Sequence, residues 1–87
     1  MAETIDRIIG YVSDPEISEK LHNLSHQGVV EYVIIERKDT LRRRLRIQSD
    51  CGTECLVAIP RYQTLSDGAV LLLEEDRAIV VLSLIHI

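Results

Sequence analysis

Two histidines stand four residues apart in the stretch "DPEISEKLHNLSHQG", and imidazole is a favoured ligand for divalent transition metals. On a helix, ~100° per residue would bring His22 and His26 onto one face, with Glu19 nearby. Two imidazoles and a carboxylate in that arrangement could hold nickel or zinc. The plain alternative is a solvated helix face rich in histidine. Three ligands without supporting partners would bind weakly. No tight metal site is therefore expected in this chain, and Glu19, His22 and His26 are the candidates.

A second set of residues is cationic. In "LRRRLRIQ", Arg42, Arg44 and Arg46 fall on one face of an extended strand, at ~6.5 Å intervals, with Leu41, Leu45 and Ile47 on the other. Such a stripe suits docking to an acidic partner, because arginine grips carboxylates with two parallel hydrogen bonds. It equally suits an exposed face paired with Glu31 or Glu54 on a neighbouring strand. A nucleic-acid groove would want aromatic platforms among the arginines, and none stand there.

Little else points to chemistry. Cys51 and Cys55 flank a turn in "CGTEC", a spacing unlike a zinc ribbon or a redox pair, so a turn cysteine and a small core cysteine are expected. Glu74 to Asp76 reads as a charged hairpin turn. There is no nucleophile elbow and no glycine-rich phosphate loop leading into a helix. The chain is not expected to be an enzyme.

Composition narrows the rest. The 87 residues carry a net charge of −4, which argues against general nucleic-acid binding. No apolar run approaches the ~20 residues of a membrane span, and the acidic start lacks a signal-peptide core. With two cysteines, too few for a disulfide framework, a cytoplasmic setting is expected. Phe and Trp are absent, so the core must be built from Ile, Val and Leu.

The elements that would position these residues are short. "TIDRIIGYV" reads as a first strand. Ser13 is an N-cap candidate with Glu16 in capping-box position, and Pro15 fits the first helical turn. Ile17, Leu21 and Leu24 then follow at helical spacing up to Gly28, a helix stop. "VVEYVIIE" reads as a strand buried on much of both faces. "LRRRLRIQ" and "CLVAI" form a hairpin about "SDCGTE", and "AVLLL" and "AIVV" are two more strands. One helix and about six strands predict a mainly β domain, a small two-sheet antiparallel sandwich or open barrel.

The order of pieces in "RRRLRIQSDCGTECLVAIPRYQTLSDGAVLLLEEDRAIVV" resembles the N-terminal domain of UreE-type urease accessory proteins. The resemblance rests on Arg44 and Arg46, Asp50 and Gly52, Ile59-Pro60-Arg61, Leu65, Asp67-Gly68, Val70-Leu71 and Ile79-Val80-Val81. It covers roughly Ile5 to Val81, and Tyr62 departs from it where the family usually carries glycine. The resemblance implies a fold similar to the peptide-binding domain of Hsp40-type chaperones. It also implies a nickel metallochaperone of urease maturation, of which this domain is the protein-interaction half. Expected partners are the urease apoprotein, the urease-maturation GTPase, or both, and neither nucleic acid nor membrane. Ni²⁺ and the dimer contact are implied for a following domain, absent here. The alternative is a stand-alone small β domain binding protein or nucleic acid through Arg42, Arg44 and Arg46.

The last six residues, "LSLIHI", can be encoded by the start of the mosaic-end sequence used in transposase-based sequencing libraries. Residues 1–81 are accordingly expected to be the native domain and residues 82–87 a foreign tail, so His86 is not a ligand candidate.

Overall fold

Gly28 ends the helix as expected. In the computed structural model, which describes residues 3–36, 38, 42 and 44–84, its backbone is left-handed at φ 72° and its N–H donates back to Leu24 and Ser25. Helix α1 (Pro15–Gln27) turns Leu24 fully inward and half-buries Ile17 and Leu21. Its N-cap is Asp14 and not Ser13. The Asp14 carboxylate accepts the Tyr11 N–H at 3.1 Å, so it fastens the preceding strand and makes no side-chain cap hydrogen bond to the helix.

The strands are β1 (Glu3–Ile5), β2 (Gly10–Tyr11), β3 (Val30–Glu36), β4 (Arg44–Gln48), β5 (Glu54–Ala58), β6 (Ala69–Leu73) and β7 (Ala78–Leu84). They form two sheets, one ordered β1-β5-β4 and the other β2-β6-β7-β3. The inward faces meet in one aliphatic core that includes Ile5, Val57, Val33, Ile35, Ile79, Val81 and Leu65. The opposite face of the larger sheet is covered by α1, giving three layers. Between α1 and that face, Leu21, His22, Ser25, Val30, Tyr32 and Val80 help line a cavity of about 270 Å³.

Three expectations need correction. The strand expected over "TIDRIIGYV" is two strands in different sheets, which brings the described strands to seven. Residues 6–9 make the crossing: Ile8 is buried, and its N–H and C=O are both held by the Gln63 side chain at 2.8 and 3.0 Å. The sheets are mixed and not wholly antiparallel, since β1 runs parallel to β5 and β3 parallel to β7. A parallel pair needs a long crossover, and the stretch between β3 and β7 supplies one by including β4, β5 and β6. Finally, β3 is buried on both faces only in its first half: Glu31, Val33 and Ile35 point into the core and Val30 and Tyr32 are half-buried, whereas Ile34 is 57% exposed and Glu36 is exposed.

The turns follow their residue types. Ser49 N–H donates to Thr53 C=O and Gly52 N–H to Ser49 C=O, with Gly52 at φ 89°, closing the β4–β5 hairpin. Tyr62 has no positive φ, so the residue standing in place of the family's glycine carries no backbone strain. Strand β7 continues through Leu84 in register with β3, past the expected boundary at Val81.

Candidate functional site

Alternation places Arg44 and Arg46 as read, but Arg42 falls outside the strand. Arg44 and Arg46 are exposed on β4, whereas Leu45 and Ile47 pack against the core. Strand β4 is the end strand of the smaller sheet, and across it Arg44 stands opposite Ala58 and Arg46 opposite Leu56. Leu56 is 40% exposed and has Thr4 of β1 on its other side. The outer face is therefore an apolar centre at Leu56 with arginines along one flank. Arg46 pairs with Glu54, one of the two carboxylates expected for it. Arg46 is exposed and Glu54 half-buried, so this pair contributes about 1 kcal/mol or less and leaves Arg46 available for exchange with a partner's carboxylate. Arg42 is exposed just ahead of β4 and is not part of the strand.

On α1 the two imidazoles meet. Nε2 of His22 lies 3.1 Å from Nε2 of His26, with ring centroids 4.5 Å apart and the planes nearly perpendicular. Glu19 does not complete a set with them: among the described residues no group of three or more His, Cys, Asp or Glu could hold a metal ion.

The cysteines divide as expected into an exposed turn residue, Cys51, and a buried core residue, Cys55. Desolvation and the neighbouring Asp50 push the Cys51 thiol up, and burial followed by the Glu31 charge does the same to Cys55. Both are held further from thiolate, the form a nucleophile or a metal ligand requires. Glu74, Glu75 and Asp76 are exposed in the β6–β7 turn, as read.

One constellation was missed. Arg77 closes the β6–β7 turn and donates from Nε to Glu31 Oε2 at 2.7 Å, from Nη1 to Glu3 Oε1 at 2.7 Å and from Nη2 to Thr53 Oγ1 at 3.0 Å. Glu31 Oε1 also accepts the Ser49 and Thr53 hydroxyls, both at 2.6 Å. Burial pushes the Glu31 carboxyl up, but these donors outweigh it and hold it below its ordinary value. The hydrogen bonds from Arg77 to Glu31 and Glu3 in turn raise the guanidinium's pKa. This network bolts the two sheets together, joining β1 and the β4–β5 turn to β3 and the β6–β7 turn. The available signal was Glu31 itself, a charge at an inward position between apolar neighbours, which demands a partner. That partner is Arg77, and not the arginines of β4.

The described residues thus define a small mixed-sheet β domain with a helical cover, an arginine-flanked outer face and a structural ion network. The model of the family described as "UreE urease accessory protein, N-terminal domain" matches residues 5–83. The chain belongs to this family. It is 48% identical over 77 residues to the protein named Urease accessory protein UreE 1 of Pseudomonas syringae pathovar syringae, covering 88% of this chain and 53% of that protein. The Urease accessory protein UreE 1 of pathovar tomato matches to the same extent. A Urease accessory protein UreE of Natronomonas pharaonis is 35% identical over 78 residues, covering 88% of this chain and 36% of that protein. The chain spans about half the length, or less, of the curated relatives it matches. Among the described residues no helix is long and apolar enough to cross a membrane.

Proposed function

We propose that this chain is the protein-interaction half of a nickel metallochaperone in urease maturation, docking the urease apoprotein or the maturation GTPase in the cytoplasm. Its role is to bind, without catalysis of its own. Nickel is the cargo, held by residues of the intact protein beyond this domain, where the dimer contact also lies. Family membership supports the accessory role. The observation that carries the docking role is the outer face of the smaller sheet, where half-exposed Leu56 is flanked by Arg44 and Arg46 on an end strand. An apolar centre with an arginine rim is the composition of a protein-recognition patch.

Immobilised 87-residue chain, offered urease apoprotein and the GTPase in turn, tests this reading. Arg44→Glu with Arg46→Glu should slow association and weaken binding by about tenfold or more, with the loss greatest at low salt. Unchanged binding by the charge-reversed chain would move the interface elsewhere. Steeply salt-dependent retention on DNA or RNA, abolished by the same changes, would favour the nucleic-acid alternative. A long read of the gene through the codon for Val81 tests the foreign-tail reading of residues 82–87, which predicts continuation into a metal-binding domain.

A further inference from the structure

We propose that His22 and His26 form a two-point clamp for a divalent late transition metal, of the Cu²⁺, Ni²⁺ or Zn²⁺ class, on the last two turns of α1. The bite of the pair fits such an ion. Two imidazole nitrogens on one ion, each at about 2.0–2.1 Å, are the equal sides of a triangle whose base is the distance between them. The Nε2–Nε2 separation is 3.1 Å. That base corresponds to an angle at the metal of about 95–102°, between the 90° of octahedral and the 109° of tetrahedral coordination. The helix thus holds the two nitrogens at the spacing a chelated ion needs.

Without metal the same contact is a hydrogen bond, in which one ring donates its Nε2–H and the other accepts. The donor ring can shift its proton to Nδ1 through solvent, since both rings are exposed. Both Nε2 lone pairs then face the gap, and no net proton need be released. Placement helps as well. His26 lies in the last turn of α1, where the carbonyl-rich helix terminus favours positive charge. No third His, Cys, Asp or Glu joins the pair among the described residues, so water completes the coordination and the site stays open. This clamp is separate from the arginine face and does not depend on the docking role.

Zn²⁺ titrated alone into the 87-residue chain, followed by NMR of the imidazole ring protons, tests the clamp. His22 and His26 should shift together and saturate at one ion per chain, while His86 serves as the internal reference. Zn²⁺ should also raise the melting temperature, because the unfolded chain does not hold the two rings in register. The decisive variant combines His26→Gln with Gln27→His, which keeps composition and helix but turns the second imidazole off the face. Its affinity should fall by about tenfold or more, as expected when an intramolecular second contact is lost. A retained melting curve without metal shows that the variant folds. Equal affinity in the variant, or shifts at His86 matching those of His22 and His26, would overturn the proposal.

Discussion

Replacing Arg77 by methionine should remove the bolt between the two sheets while leaving most of the side chain's packing in place. The bond from Nε to Glu31 is charge-assisted and shielded, and contributes about 1.5–3 kcal/mol. The bond to Thr53 adds about 1 kcal/mol. The pair with Glu3 is worth less than about 1 kcal/mol, because that carboxylate is 36% exposed. The Ser49 and Thr53 hydroxyls stay on Glu31, which limits the cost of stranding its charge. A loss of about 3 kcal/mol follows, a large share of the roughly 4–13 kcal/mol available to a domain of this size. Thermal unfolding should fall by roughly 12–24 °C. Adding Glu31→Gln to Arg77→Met neutralises the stranded carboxylate and should recover about 1–2 kcal/mol, a coupling visible in a double-mutant cycle. Acid unfolding gives an independent readout. Glu31 is held below its ordinary value in the fold, so its contribution is complete above about pH 4.3 and is lost as pH falls through the lower, folded value. Glu31→Gln should flatten that acid limb. A loss below about 1 kcal/mol for Arg77→Met, with strictly additive effects in the cycle, would refute the idea that this network joins the sheets.

Two further changes test the turn and the crossing. Gly68 has φ 83°, and an added Cβ would stand 2.8 Å from Val12 Cγ2, so Gly68→Ala should cost about 1–3 kcal/mol in chemical denaturation. Gln63→Ala strips both hydrogen bonds from the Ile8 backbone and should cost about 1–3 kcal/mol, with faster hydrogen exchange at the Ile8 amide as its local signature.

The parts of the fold legible in the sequence are those set by neighbours in the chain. The helix, its Gly28 stop and its Ile17, Leu21 and Leu24 stripe follow from spacing over a few residues. The outward Arg44 and Arg46 follow from an alternation of two. What local patterns could not supply was the choice of partner strand. "TIDRIIGYV" carries β-branched Thr4, Ile5, Ile8, Ile9 and Val12 and reads as continuous, yet Ile5 and Ile8 are both buried only because the chain crosses between sheets there. Gln63, 55 positions away, holds that crossing. Likewise Glu31 announces a need for a cation, but its partner stands 46 residues on. The parallel pairings are of the same kind, since a strand's composition does not state its direction. The helical histidines sit between these cases: their spacing brings them together, and Glu19 shows that proximity on one helix does not by itself assemble a third ligand.

The parallel pairing of β3 with β7 also sets an order of events during synthesis. Strand β3 ends at Glu36, and its neighbour in the sheet begins at Ala78. At roughly 5–20 residues per second, the ribosome needs about 2–8 s to make the intervening chain. Through that interval the inward Val33 and Ile35 have no sheet to join. The β4–β5 hairpin can close early, but the layer beneath α1 must wait for β7, the last of the described strands. The larger sheet is therefore withheld until the residues from Ala78 on emerge, whereas every strand of the smaller sheet is made by Ala58, and a nascent chain arrested before Ala78 should be a ready substrate for holding chaperones.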